Sequence, residues 1–156
     1  MTIRDIPQGE EIAQIRESVR KLCESFPPDY WRRLDRENAY PSEFVKALSD
    51  AGYLSVLIPE RYGGSGLPLS AAAAILEEVQ RAGANGAACH AQMYIMGALL
   101  RHGSEEQKRK YLPRIATGEL RLQAFGVTEP TSGTDTTSIK TFARRDGDHY
   151  VVNGQK

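Results

Sequence analysis

What this chain most plainly lacks is net charge: 20 Lys and Arg stand against 20 Asp and Glu in 156 residues. With no basic surplus to neutralise phosphates, the composition argues against binding to nucleic acid or an anionic membrane surface. Long apolar runs are missing as well, so no segment reads as a membrane span. The N-terminal stretch MTIRDIPQGEEIAQIRE is charged and lacks the apolar core of a secretory signal. Cysteine is scarce. Cys23 and Cys89 each sit inside a helical pattern, too isolated for a disulfide framework or a metal site, and read as reduced, partly buried thiols. Together these absences lead us to expect a cytosolic protein.

Several catalytic and binding motifs are absent too. The glycines at 63, 64 and 66 do not match GxGxxG and no strand–turn–helix unit surrounds them, so a tight structural turn is expected there. His90 has no second His or Cys at ligand spacing, and His102 and His149 read as surface residues. No serine–histidine–acid or cysteine–histidine set can be assembled.

What is present is helical periodicity over the first 118 residues. Ile12, Ile15, Val19, Leu22 and Phe26 recur at steps of three and four, one apolar face of a helix that Pro27-Pro28 ends. DYWRRLDREN (29–38) reads as a polar connector whose Tyr30 and Trp31 pack over a neighbour. A second helix opens near Pro41, carries Phe44 and Leu48 one turn apart and stops at Gly52. After the Gly- and Pro-rich stretch 53–70, a third helix (about 70–83) buries Ile75, Leu76 and Val79. The fourth (about 86–102) aligns Cys89, Met93, Met96 and Leu100, with Gly103 as its stop. Ser104 and Gln107 fit a capping box for a fifth helix, which Pro113 disturbs and Gly118 closes.

Near residue 120 the pattern changes. LRLQAFGV reads as a strand, and SIKTFARR and HYVVNG flank Asp146-Gly147, a favoured pair for a tight hairpin turn. Asn153-Gly154 is a second turn signal. The expected fold class is a mainly α domain, a bundle of about five helices over 1–119, followed over 120–156 by the incomplete start of an antiparallel β-domain. One hairpin and one strand are marginal as a sheet, so the β half is not expected to stand alone.

The chemistry concentrates in FGVTEPTSGTD, 125–135, where an apolar run ends in hydroxyls, one glycine and two carboxylates without any Lys or Arg. A P-loop needs GxxxxGK[ST], and this loop has neither the lysine nor the spacing. Glu129 and Asp135 would repel a phosphate if they faced it. An anion here would be met by backbone N–H groups and by the hydroxyls of Thr128, Ser132 and Thr134, with the carboxylates turned away. Gly133 would allow close approach, and Pro130 would stiffen the turn. From the residues alone, an ordinary strand-end loop and a ligand cradle both stand.

Read together, four ordered segments resemble the acyl-CoA dehydrogenase family: PERYGGSG (59–66), GSEEQKRKYLP (103–113), VTEPTSGTD (127–135) and GDHYVVNGQK (147–156). The likeness runs along nearly the whole chain. It implies an N-terminal helical domain and a middle β-domain, then a C-terminal helical domain lying past Lys156. It also implies FAD as cofactor and α,β-dehydrogenation of an acyl-CoA thioester, in fatty acid metabolism. An electron-transfer flavoprotein would be the acceptor, and the full-length protein a homo-oligomer, commonly a tetramer.

By the same resemblance Phe125 lines the flavin and substrate side, and Val127 and Thr128 address the flavin ring. Gly133 and Thr134 approach the pyrophosphate, and Thr134 also neighbours the substrate. Thr134 stands where serine is usual, and Thr131-Ser132 replace a glycine or alanine pair. The catalytic glutamate belongs to the C-terminal domain, and Glu129 is not taken for it. This stretch alone is expected to be inactive. His90, Met93 and Tyr94 are candidates for setting acyl-chain length, each read first as packing. An acyl-CoA oxidase or flavin monooxygenase of the same superfamily, and a non-catalytic helical binding module, are the alternatives.

Overall fold

In the computed structural model, residues 9–156 are described. The first eight residues of the charged N-terminal stretch, read above against a secretory signal, lie outside them. The chain divides into a helical unit ending at Gln123 and a second unit, Ala124–Lys156.

Among the described residues, six α-helices build the first unit: α1 Gly9–Glu24, α2 Pro28–Glu37, α3 Ser42–Asp50, α4 Leu69–Arg81, α5 Ala87–His102 and α6 Glu105–Ala116. The periodic residues close one core, in which Val19 of α1, Phe44 and Leu48 of α3, Ile75 and Val79 of α4, and Cys89 and Met93 of α5 are all buried. Leu76 and Leu100, expected with them, are half-buried. A second cluster joins Ile58 and Tyr62 to Met96 of α5 and Leu112 and Ile115 of α6. Burying apolar side chains of this size contributes roughly 1.5–3 kcal/mol each, which is what orders the short helices.

The segment 29–38 departs from its reading as a connector, since it lies almost wholly within α2. Pro27-Pro28 ends α1, but Pro28 also starts the next helix, because proline's missing N–H costs nothing in a first turn. The charges of RRLDRE occupy the solvent face while Leu34 is buried. Tyr30 and Trp31 do pack over neighbours. Trp31 meets the Phe44 ring edge-on at 4.9 Å and donates its indole N–H to the Phe26 carbonyl at 3.0 Å. Tyr30 meets Phe26 at 5.1 Å. Asn38, with φ 49°, closes α2 in the left-handed conformation that asparagine tolerates.

Residues 53–68 form a compact loop built around two short 3₁₀ segments, Tyr53–Ser55 and Glu60–Tyr62, before α4 begins at Leu69. Gly64 is required there: a Cβ would lie 2.1 Å from the Ile58 carbonyl oxygen. The capping box forms, with Ser104 Oγ accepting the Gln107 N–H and Gln107 Oε1 accepting the Ser104 N–H. Helix α6 runs through Pro113 to Ala116, because buried Leu112 and Ile115 anchor it on both sides of the lost hydrogen bond.

Residues 120–127 form no ladder with a strand among the described residues, contrary to the strand reading. Side chains fasten their first half instead. Gln123 donates to the Ala88 carbonyl at 2.6 Å and accepts from the Tyr40 hydroxyl at 3.2 Å.

The second unit holds one antiparallel hairpin, β1 Phe142–Asp146 and β2 His149–Asn153. The turn is shifted by one residue from the sequence expectation. Asp146 pairs with His149, so Gly147 and Asp148 are the central residues. Gly147 has φ 60° and Asp148 is not in the positive-φ region, the pattern of a II′ turn with glycine first. Phe142, Tyr150 and Val152 are exposed, as a two-stranded sheet cannot bury both faces.

Candidate functional site

Within the second unit, the loop 125–135 is held by its own carboxylates. Glu129 is buried, and its side chain accepts the backbone N–H groups of Lys140 at 2.6 Å and Thr141 at 2.9 Å. Lys156 Nζ completes the set at 3.0 Å from Glu129 Oε1. The backbone N–H of Lys140 is the largest influence on the carboxyl, followed by Thr141, and they hold its pKa down to about 2 against the opposing effect of burial. The Thr141 hydroxyl is itself buried without a hydrogen-bond partner, so its N–H is the Thr141 contribution that the geometry supports. A tight turn links the Glu129 N–H to the Ser132 carbonyl at 2.9 Å and the Ser132 N–H to the Glu129 carbonyl at 3.1 Å.

Asp135 is consumed in the same way. Its carboxylate accepts from the hydroxyls of Ser138 and Thr137 and from the Thr137 N–H, capping the short turn Thr136–Ser138. Those donors, Ser138 first, lower its pKa below the usual carboxylate range. Ser132 Oγ donates to the Asp135 carbonyl and is buried, so it is not among the outward donors expected of it. Its place between two turns makes it structural.

The expected site residues sit on this loop. Phe125, Thr128, Gly133 and Thr134 are exposed and Val127 is half-buried. The Val127 carbonyl accepts from Lys156 Nζ at 2.8 Å. Among the described residues, the N–H groups of Gly133 and Thr134 and the hydroxyls of Thr128 and Thr134 have no partner. Gly133 has nothing within 4 Å of where a Cβ would stand. Glu129 is thus turned inward and Asp135, though exposed, is occupied by its own neighbours, while neutral donors stay open, an arrangement that suits a ligand rich in acceptors.

In the helical unit, Met93 is core and 4% exposed, while His90 and Tyr94 are exposed and their rings meet edge-on at 5.0 Å. Cys23 and Cys89 are free and buried, and burial pushes the Cys89 thiol up to about 11. Among the described residues, no cluster of His, Cys, Asp and Glu could hold a metal ion, and no helix is long and apolar enough to cross a membrane.

Known proteins are similar to this chain along most of its length. The family described as "Acyl-CoA dehydrogenase, N-terminal domain" matches residues 9–119. The chain is 38% identical over 153 residues to the mitochondrial isovaleryl-CoA dehydrogenase of Pongo abelii, covering 95% of this chain and 36% of that protein. The crystal structure of an acyl-CoA dehydrogenase from Geobacillus kaustophilus matches with a TM-score of 0.78 at 30% identity, over 95% of this chain and 39% of that one. An acyl-CoA dehydrogenase complexed with FAD from Bacillus anthracis matches with a TM-score of 0.68 at 31% identity, over 99% and 28%.

The chain belongs to the acyl-CoA dehydrogenase family, a family of FAD-dependent flavoproteins. It spans little more than a third of the curated relative, 36% of its length. The outward donors of the loop pass a simple test against FAD. A pyrophosphate met without a cation needs backbone and hydroxyl dipoles at an open glycine, and Gly133 with Thr134 offers them.

Proposed function

We propose that the chain supplies the helical domain and the opening strands of an FAD-dependent acyl-CoA dehydrogenase acting on the α,β carbons of an acyl-CoA thioester. The observation that carries this reading is the loop 127–135, whose two carboxylates are spent on internal hydrogen bonds while its neutral donors stay open. In the proposal Val127 and Thr128 offer backbone groups, and Thr128 its hydroxyl, to the edge of the flavin ring. Gly133 and Thr134 take the pyrophosphate, Thr134 also faces the substrate, and exposed Phe125 lines the flavin and substrate side. Bound FAD would supply the hydride acceptor; the residues here bind and orient it.

Glu129 does not serve as the base for the α-proton. It is buried and occupied by N–H donors and an ammonium, and its pKa of about 2 leaves almost no proton affinity near neutrality. The base is proposed to lie outside these 156 residues, so this chain alone neither holds FAD well nor turns over. The acceptor is proposed to be an electron-transfer flavoprotein, and the whole protein a homo-oligomer. A cytosolic location is proposed, and cell fractionation decides between it and the mitochondrial location named for some relatives.

The test is to purify the protein at its natural length, record its flavin spectrum and add acyl-CoA thioesters of varied chain length without oxygen. Bleaching of the flavin that only an added acceptor reverses supports the dehydrogenase. Rapid reoxidation by oxygen with peroxide release would favour an oxidase instead. A protein that neither carries nor takes up FAD would refute the proposal.

A further inference from the structure

The loop 125–135 contains no cation, yet one reaches it from a distant part of the same unit. Lys156 Nζ donates to the Val127 carbonyl at 2.8 Å and pairs with Glu129 Oε1 at 3.0 Å. Its stem crosses the residue between these points and Phe125: a methyl group at Gly126 would touch Lys156 Cβ and Cγ at 3.7 and 3.8 Å. The lysine thus runs along 126–129 and grips that segment by its backbone and by its buried carboxylate.

Its own position is set by the hairpin. β2 ends at Asn153, and Gly154 packs so closely on Thr141 that a Cβ there would lie 2.1 Å from Thr141 Oγ1. Thr141 in turn donates its N–H to Glu129. Hairpin register, Gly154 contact and lysine reach therefore form one closed linkage.

We propose that Lys156 is a positioning residue for the FAD cradle, holding the Val127 carbonyl turned away so that the Thr128 N–H, on the opposite edge of the same peptide, and the Thr128 hydroxyl face the ligand. This rests on the functional reading above. The ammonium has two separable effects: it neutralises buried Glu129, which serves stability, and it fixes the Val127 peptide, which serves orientation. A variant that only removes the charge would leave a buried carboxylate without its cation and confuse the two.

The experiment compares two double variants of the natural-length protein, Glu129→Gln with Lys156→Gln and Glu129→Gln with Lys156→Met. Neither leaves an unpaired charge, and only the first retains a donor for the Val127 carbonyl. FAD affinity by fluorescence titration, the visible circular dichroism of bound flavin and the melting of the apoprotein are read for both. We expect the Met variant to bind FAD up to about tenfold more weakly than the Gln variant, the upper range for one lost neutral hydrogen bond, with an altered flavin dichroism and an apoprotein melting point equal to that of the Gln variant. Equal FAD affinity and equal dichroism in the two variants overturn the proposal. A fall in apoprotein stability confined to the Met variant overturns it too, because the contact is then structural. A wild-type protein that binds no FAD defeats the functional reading itself, and this inference with it.

Discussion

Arg16 Nη1 lies 3.2 Å from Glu78 Oε1, an ion pair that joins α1 to α4 across the edge of the helical core. Glu78 is 2% exposed, and Arg20 at 3.3 Å and Arg81 at 3.6 Å share its carboxylate. Burial alone would raise the Glu78 pKa, but the Arg16 hydrogen bond and the Arg20 charge outweigh it, and the net shift is downward.

Replacing Glu78 with Ala removes the buried carboxylate that Arg16, Arg20 and Arg81 share and leaves a gap in its place, although Arg16 keeps Glu77, so its thermal midpoint should fall further than that of Glu77→Ala, whose carboxylate is exposed. Circular-dichroism melts of the two variants check this. Because the folded pKa is depressed, the Glu78 contribution is full above the ordinary carboxylate value of 4.5 and is lost as pH falls through the lower folded value. Equal melting of the two variants at neutral pH would count against the pairing.

Phe44 has no exposed surface and receives the rings of Phe26 and Trp31 edge-on. Phe44→Ala should cost about 3–5 kcal/mol in denaturant unfolding, the range for a buried aromatic truncated to a methyl. The indole emission of the single tryptophan, Trp31, should shift to the red in the folded variant as its packing partner disappears.

Two glycines with opposite surroundings separate fold from site. Gly64→Ala drives a methyl into the Ile58 backbone and should lower stability by about 1–3 kcal/mol or prevent folding. Gly133→Ala meets nothing within 4 Å and should change stability by no more than about 0.5 kcal/mol. If the cradle is used as proposed, Gly133→Ala still weakens FAD binding, because the added methyl occupies the approach. Unchanged FAD affinity in a folded Gly133→Ala protein would remove Gly133 from the site.

The Glu129 carboxyl should titrate near pH 2, measured by the carbon shift of its side-chain carboxyl in an NMR titration. The pKa is depressed, so its contribution to the second unit persists above the ordinary value of 4.5 and fades only as pH falls toward 2. A midpoint near 4.5 would mean that the N–H groups of Lys140 and Thr141 do not hold it.

Local pattern was enough for much of this molecule. Steps of three and four in 12–26 and the box Ser104/Gln107 specify helices through neighbours a few residues apart, and those helices form close to where the pattern puts them. The local satisfaction of Asp135 was also legible, since an acceptor-only group beside hydroxyls and N–H groups satisfies itself locally. Helix α2 was hidden by its charges and its double proline, because its apolar stripe is narrow and its worth depends on the Phe26 and Phe44 rings it meets. The strand reading of 120–127 failed for the converse reason. Strand formation needs a partner, and no one-dimensional pattern says whether one is adjacent.

By itself, then, the sequence determined that FGVTEPTSGTD carries no cation and that any ligand there must be met by neutral dipoles. Only the tertiary structure decided that the loop has a cation nonetheless. Lys156 stands 29 residues from Val127 along the chain, and hairpin register with the Gly154–Thr141 contact brings its ammonium onto the Val127 carbonyl and Glu129. Periodicity and turn signals act over a few residues, whereas this contact exists only after two strands have paired and a close backbone approach has closed the loop.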